Sequence, residues 1–76
     1  MQTIEFHLRG EYAELCNLLK LTGIADSGGR GKTMVAEGLV KVDGRNETRK
    51  TAKIRAGQIV ECAGMRIAIL AASSEG

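Results

Sequence analysis

The near absence of aromatic side chains is the feature that most limits how this chain can fold. Its 76 residues include one Tyr, one Phe and no Trp. A chain of this length forms one small domain, which buries only about 60% of the surface of the unfolded chain. The core must therefore be aliphatic, built from Leu, Ile, Val, Ala and Met. The same scarcity argues against nucleic-acid recognition that stacks many bases on aromatic platforms.

Two segments have the apolar spacing and the end signals of helices. Residues 11–21 place apolar side chains near helical spacing, and Gly23 fits the C-cap of that helix. Asp26 and Ser27 are good N-cap residues for a second helix over residues 27–37, and Gly38 is suited to end it. The sequence therefore predicts two adjacent helices.

Short strands are predicted on both sides of the helices. Residues 3–8 alternate apolar and polar side chains, which is typical of a half-buried strand. After the helices, Asp43-Gly44 and Ala63-Gly64 are turn signals between apolar runs. The strands predicted there cover residues 39–42, 47–49, 59–62 and 65–70.

This order of elements favours an α+β fold in which two adjacent helices pack on a small, mainly antiparallel sheet. We predict one domain over residues 1–76, with a motif core at residues 11–62 and a flexible tail at residues 72–76.

Positive charge is concentrated in the middle of the chain. The net charge is +2, but residues 18–55 contain nine Lys and Arg against four Asp and Glu, whereas the remainder contains two against five. A basic block of this kind is typical of a protein with a polyanionic partner. If the second helix and the hairpin after it fold side by side, their cations form one basic face. Phosphate contacts from such a face supply most of the affinity and little sequence discrimination.

A glycine-rich run ends in the pattern of a phosphate-binding P-loop, G-x-x-x-x-G-K-[ST], at Gly28-Gly29-Arg30-Gly31-Lys32-Thr33. The first glycine of that pattern would fall at position 26, which is Asp26, and residues 20–25 are not the apolar strand that should precede it. These departures argue against a nucleotide-hydrolysing enzyme. A milder interpretation is that glycines near a helix N-terminus leave backbone N–H groups open to an RNA phosphate.

A longer pattern spans both helices and the hairpin. It comprises a helix ending near a glycine, a second helix opened by Ala-x-Ser and ended by glycine, a Val-x-Val-Asp-Gly hairpin and a later Ile-x-x-Gly element. The matching positions are Leu15, Leu18, Leu19, Gly23, Ala25, Ser27, Gly38, Val40, Val42, Asp43, Gly44, Ile54, Gly57 and Val60. The pattern resembles the alpha-L RNA-binding motif, the domain named after the fourth small-subunit ribosomal protein. Within that family, the run Glu47-Thr48-Arg49-Lys50 resembles small stand-alone bacterial proteins of the YbcJ type.

The chain departs from the motif at three positions. Gly28 stands where the family commonly has Arg, Gly31 stands where it commonly has Ala, and Gln58 replaces an acidic residue. Arg30 and Lys32 carry positive charge close to the missing Arg.

The resemblance implies a non-catalytic protein that binds structured RNA, with ribosomal RNA as one candidate. From the charge cluster and the motif spacing, we predict RNA-binding residues at Lys20, Ser27, Arg30, Lys32, Lys41, Arg45, Arg49, Lys50 and Lys53. No cofactor, metal or small-molecule substrate is expected. The alternative is a protein-interaction adaptor whose basic face binds an acidic partner.

Cys16 and Cys62 are not spaced as a CxxC pair or as part of a zinc site. We interpret them as reduced, buried thiols of a cytoplasmic protein. We expect no membrane association, because the N-terminus does not have the pattern of a signal peptide and no apolar run reaches about 18 residues. His7 is expected to be an exposed strand residue, because no Ser, Cys or carboxylate is spaced as a catalytic partner.

Overall fold

The computed structural model describes residues 2–72, which form two helices and seven short strands. In chain order the elements are β1 (Gln2–His7), β2 (Ala13–Glu14), α1 (Leu15–Leu21), α2 (Gly28–Ala36), β3 (Val40–Val42), β4 (Arg45–Asn46), β5 (Lys53–Ile54), β6 (Ile59–Cys62) and β7 (Met65–Leu70).

Five of the strands form one sheet in the order β1-β7-β6-β3-β4. β1 runs parallel to β7, and the other neighbours in this sheet are antiparallel. β2 and β5 form a separate antiparallel pair. The predicted α+β fold, with two adjacent helices and a small, mainly antiparallel sheet, is confirmed.

The hydrophobic core lies between the helices and one face of the five-stranded sheet. Val40, Val60 and Ile67 come from three neighbouring strands and have no exposed surface. Leu18 and Leu19 of α1 are buried to the same extent and belong to the same cluster. The core is aliphatic apart from one methionine and one cysteine, as the composition requires.

The other face of the sheet is exposed to solvent. Because side chains alternate along a strand, Lys41 points away from the face that carries Val40 and Val42. Its partner in register on β6 is Glu61, whose partner on β7 is Arg66. The Arg66 Nε lies 3.4 Å from the Glu61 Oε2. Cations on this face are therefore separated from the helices by the sheet.

The first helix is shorter than the sequence predicts. It begins at Leu15 rather than at residue 11, because Ala13 and Glu14 form β2 and pair with β5. The prediction of helix over residues 11–14 was therefore wrong. The apolar spacing there is compatible with a helix, but hydrogen bonds to a strand much later in the chain override this local preference.

The second helix begins and ends within one residue of the prediction. Ser27 has an extended backbone, and its Oγ accepts a hydrogen bond from the Arg30 N–H at 3.1 Å. This is the bond of an N-cap, which satisfies one of the free N–H groups of the first turn. Gly38 has a φ of 77°, the left-handed conformation in which chains leave helices.

Both predicted two-residue turns are present. The φ values are 53° and 84° at Asp43-Gly44 and 54° and 76° at Ala63-Gly64. Two positive φ angles in succession match the twist of the strands that such turns connect. The strand that returns from the first turn is Arg45–Asn46, so the prediction of residues 47–49 was wrong. A two-residue turn pairs the residues on either side of it, and the return strand therefore starts at once.

Several interpretations of single residues are confirmed. Cys16 and Cys62 are free, buried thiols, and His7 is exposed on β1. Within the described range, neither helix is both long enough and apolar enough to span a membrane. A flexible tail was predicted at residues 72–76, of which residues 73–76 lie outside the described residues.

Candidate nucleic-acid interface

Residues 47–52 link β4 to β5, and we call this segment the connector. It is attached to the start of α1 by backbone hydrogen bonds. The Leu15 N–H donates to the Ala52 carbonyl at 2.9 Å, and the Cys16 N–H donates to the Lys50 carbonyl at 3.0 Å. These carbonyls satisfy N–H groups that the first turn of a helix leaves without a partner. Backbone hydrogen bonds therefore hold the connector against the start of α1.

α2 packs closely against the same turn of α1. Gly31 is buried, and a Cβ atom placed on it would lie 2.6 Å from the Cys16 carbonyl oxygen. Arg30 and Lys32, on either side of Gly31, are exposed. Cys16 thus joins the two segments, because its N–H bonds to the connector and its carbonyl contacts α2.

Five of the nine predicted residues belong to the segments that meet at this junction, and we call them the basic surface. They are Arg30 and Lys32 of α2, Arg49 and Lys50 of the connector, and Lys53 of β5, and all five are exposed. A recess of about 400 Å³ is lined by Arg49, Thr51, Ala52 and Lys53. The structure therefore brings two cation-bearing segments that are distant in the sequence against the same turn of α1.

The other four predicted residues have different positions. Lys20 is exposed in the last turn of α1, where a positive charge suits the helix dipole. Ser27 caps α2 through its Oγ. Arg45 lies on the edge strand β4, in register with Val42. Lys41 is on the opposite face of the sheet and does not belong to the basic surface.

One carboxylate, that of Glu47, lies within the connector. Its Oε2 accepts hydrogen bonds from the Arg49 backbone N–H at 3.0 Å and from the Arg49 Nε at 3.2 Å. These bonds lower the pKa of Glu47. The Arg49 side chain nevertheless remains 81% exposed. Among residues 2–72, Arg30, Lys32 and Lys50 form no ion pair, which leaves their charges available to a ligand.

A second carboxylate, that of Asp43, holds the β3–β4 turn against the start of β6. Its Oδ1 accepts from the Ile59 N–H at 3.0 Å, and its Oδ2 accepts from the Gln58 Nε2 at 3.2 Å. The bond from Ile59, followed by that from Gln58, lowers the pKa of Asp43. This carboxylate is therefore part of the support of the hairpin that carries Arg45.

The glycine-rich run forms the first turns of α2 and is not a loop. Thr33, at the position of the P-loop hydroxyl, donates through its Oγ1 to the Gly29 carbonyl at 3.1 Å. Within the described part of the chain, the N–H groups of Gly28 and Gly29 have no acceptor. An RNA phosphate at this helix end stays a prediction.

Two residues beside the basic surface, Tyr12 and Arg55, were not predicted as RNA-binding residues. The Lys53 Nζ and the Arg55 Cζ lie 5.1 Å and 5.8 Å from the centroid of the Tyr12 ring. The sequence held a signal for Arg55. Lys53 and Arg55 flank the apolar Ile54, and residues two apart point to the same side of an extended chain. No signal indicated Tyr12, because the sequence pattern assigned it to a helix.

Comparison with known proteins identifies the family. The family model described as the S4 domain matches residues 6–70. The chain is 53% identical over 60 residues to YbcJ of Escherichia coli (strain K12). The matched region covers 79% of this chain and 86% of that protein. YbcJ of Shigella flexneri matches with the same identity and coverage.

Solved structures show the same relationship. The solution structure of E. coli YbcJ, described as containing an alfaL motif involved in RNA binding, matches with a TM-score of 0.65 at 47% identity, over 92% of this chain and 87% of that one. The 30S ribosomal protein S4e of Thermoplasma acidophilum shares the fold, with a TM-score of 0.58 at 24% identity over 76% of this chain and 31% of that one. The resemblance seen in the sequence is therefore confirmed, and the chain belongs to the S4 domain family.

Proposed function

We propose that this protein is a non-catalytic RNA-binding module that holds folded RNA by its phosphates through the basic surface. The observation that carries the proposal is the junction at Cys16, where two segments that carry exposed cations, α2 and the connector, contact the same turn of α1. The alfaL motif in the structure of YbcJ, which is described as involved in RNA binding, supports the class of ligand.

The chemistry of the basic surface favours recognition of RNA shape over sequence. Lys and Arg contact phosphates and release counterions whatever the bases are. The grooves of double-stranded RNA are recognised mostly by shape and backbone contacts. The connector and β5 carry their cations on a backbone that is hydrogen-bonded to α1 and β2, so the backbone positions of these residues are set before RNA binds. Ribosomal RNA is the first ligand to test, because the alpha-L resemblance implies it.

The environment of the polar groups supports binding rather than catalysis. Apart from the thiols, no polar or charged side chain in residues 2–72 is buried, so none has the desolvated setting that tunes a catalytic acid or base. Burial raises the pKa of the Cys62 thiol, although the charge of Arg30 opposes this. A protonated thiol is a poor nucleophile. Free thiols are typical of a reducing compartment, and we propose that the protein acts in the cytoplasm.

Neutralising two cations at a time tests the proposal with a matched control. The test variant combines Lys32→Gln with Lys50→Gln on the basic surface. The control combines Lys41→Gln with Arg66→Gln on the opposite face of the sheet, and each variant has two fewer positive charges. For a structured RNA, the test variant should bind more weakly, and its slope of log Kd against log salt should fall by about 2, or about 1 for each phosphate that the protein no longer neutralises.

The control variant should keep the salt dependence of the unmodified protein. If both variants bind equally more weakly, net charge alone attracts the RNA, and the basic surface has no special role. Unchanged binding by the test variant would contradict the proposal. All four substituted side chains are exposed, so thermal unfolding should show that both variants remain folded.

A further inference from the structure

Tyr12 lies outside the core, although the chain has few aromatic residues from which to build one. It is the only Tyr in the sequence, and the residue is 41% exposed. The single Phe, Phe6, packs against the core cluster, as an aromatic residue with a structural role is expected to do. Tyr12 is therefore partly accessible to a ligand.

Two cations lie over this ring: Lys53, which belongs to the basic surface, and Arg55, which does not. The Lys53 Nζ is 5.1 Å and the Arg55 Cζ is 5.8 Å from the ring centroid. Lys53 belongs to β5 and Arg55 follows it directly; both are exposed, whereas Ile54 between them is buried. Cations within about 6 Å of an aromatic centroid are attracted to the ring, which holds the three side chains together.

A groove of about 870 Å³ opens beside Tyr12. Its lining includes Phe6 and the exposed Leu21, together with the polar side chains of Asn17 and Arg9. Sites for small ligands commonly have volumes of about 300–1,000 Å³ and combine apolar walls with a few polar groups. The groove is thus large enough for a nucleotide, and it offers hydrogen-bonding groups to the edge of a base.

The charge of the groove differs from that of the basic surface. Glu5 and Glu14 line it together with Arg9, so its carboxylates offset its cation. Such a lining suits a neutral base better than a phosphate. Lys53 and Arg55, beside the same ring, provide the positive charge that an adjoining phosphate requires.

We propose that Tyr12 stacks on one unpaired base of the bound RNA, while Lys53 and Arg55 contact the phosphate next to it. Stacking on an aromatic ring beside a basic track is a general means of binding single-stranded nucleotides. The inference rests on the proposed function and specifies its ligand as an RNA helix that adjoins a bulge or a loop. One ring can stack one base, which agrees with a chain that is otherwise poor in aromatic residues.

Two substitutions separate stacking from the other properties of the side chain. Tyr12→Leu removes the ring and keeps an apolar residue, whereas Tyr12→Phe keeps the ring and serves as the matched control. Binding is measured by the anisotropy of a labelled RNA hairpin with an unpaired loop and of a blunt, fully paired RNA duplex. For the hairpin, Tyr12→Leu should weaken binding by roughly 5- to 100-fold. Binding of the duplex should stay within about twofold for both variants, and Tyr12→Phe should bind the hairpin like the unmodified protein.

The fluorescence of the unmodified protein gives an independent measurement. The chain contains one Tyr and no Trp, so tyrosine emission reports on Tyr12 alone. A base stacked on the ring should quench this emission when the hairpin binds, and the duplex should quench it less.

Three outcomes would overturn the inference. In the first, the hairpin binds the unmodified protein without changing tyrosine emission. In the second, Tyr12→Leu binds the hairpin with unchanged affinity. In the third, Tyr12→Leu weakens binding of hairpin and duplex equally, which would show that the ring only positions Lys53 and Arg55. If neither RNA changes in anisotropy with the unmodified protein, the proposed function itself fails, and this result is distinguishable from the other three.

Discussion

Replacing Gly31 by alanine tests the close approach of the two helices. A Cβ at this position would lie 2.6 Å from the Cys16 carbonyl oxygen, whereas ordinary contacts begin at 3.4 Å, so the two groups must separate by about 0.8 Å (3.4 minus 2.6). The carbonyl belongs to backbone, and the N–H of the same residue is bonded to the Lys50 carbonyl. The shift therefore cannot be absorbed by rotating a side chain.

The expected magnitude comes from two opposing effects. Overpacking of a tightly packed site typically costs about 1–3 kcal/mol. Replacing a helical glycine by alanine contributes up to about 1 kcal/mol in the favourable direction. We expect Gly31→Ala to lower the free energy of unfolding by roughly 0–2 kcal/mol in total. Gly29→Ala is the matched control, because its Cβ would meet nothing closer than the Ser27 Oγ at 3.9 Å. It should be neutral or stabilising by up to about 1 kcal/mol.

Thermal unfolding of the two variants side by side measures the difference. In a domain of this size, 1 kcal/mol shifts Tm by about 4–8 °C. Gly31→Ala should therefore unfold several degrees below Gly29→Ala. An equal rise in Tm for both variants would refute the claim that the helices are too close for a side chain at residue 31.

Two further predictions concern the supports of the site. Ser27→Ala should lower the free energy of unfolding, measured by denaturant unfolding, by about 1 kcal/mol, because it removes the cap of α2. The control Asp26→Ala should show almost no change. An equal loss in both variants would contradict the assigned cap. Asp43 and Glu47 have pKa values below the ordinary 3.8 and 4.5, so unfolding takes up protons. Their contribution to stability is therefore present above about pH 4.5 and is lost as pH falls through their folded pKa values. The double variant Asp43→Asn, Glu47→Gln should show a flatter decline of unfolding free energy between about pH 5 and about pH 3, and an unchanged decline would contradict this role.

The closeness of the helices gives a physical reason for one departure from the alpha-L pattern. The family commonly has alanine where Gly31 stands, but in this chain the contact with Cys16 leaves no space for a Cβ. No comparable contact explains Gly28, because a Cβ there would meet nothing within 4 Å.

Features that depend on neighbouring residues could be predicted from the sequence. The Ser27 cap bonds to a residue three positions later, and the Asp43-Gly44 turn joins adjacent strands. Each is determined by the conformational preferences of a few consecutive residues. The aliphatic core and the concentration of cations in the middle of the chain likewise follow from composition and order alone.

Only the tertiary structure decided which cations lie together and what surrounds them. The pairing of β2 with β5 converts the start of the predicted first helix into a strand and places Tyr12 beneath Lys53. The alternation of β3 puts Lys41 on the far face of the sheet, although in sequence it lies among the other cations. These arrangements depend on hydrogen bonds and packing between residues that are far apart in the chain. Local residue patterns carry little information about such pairings, and folding alone brings the partners together.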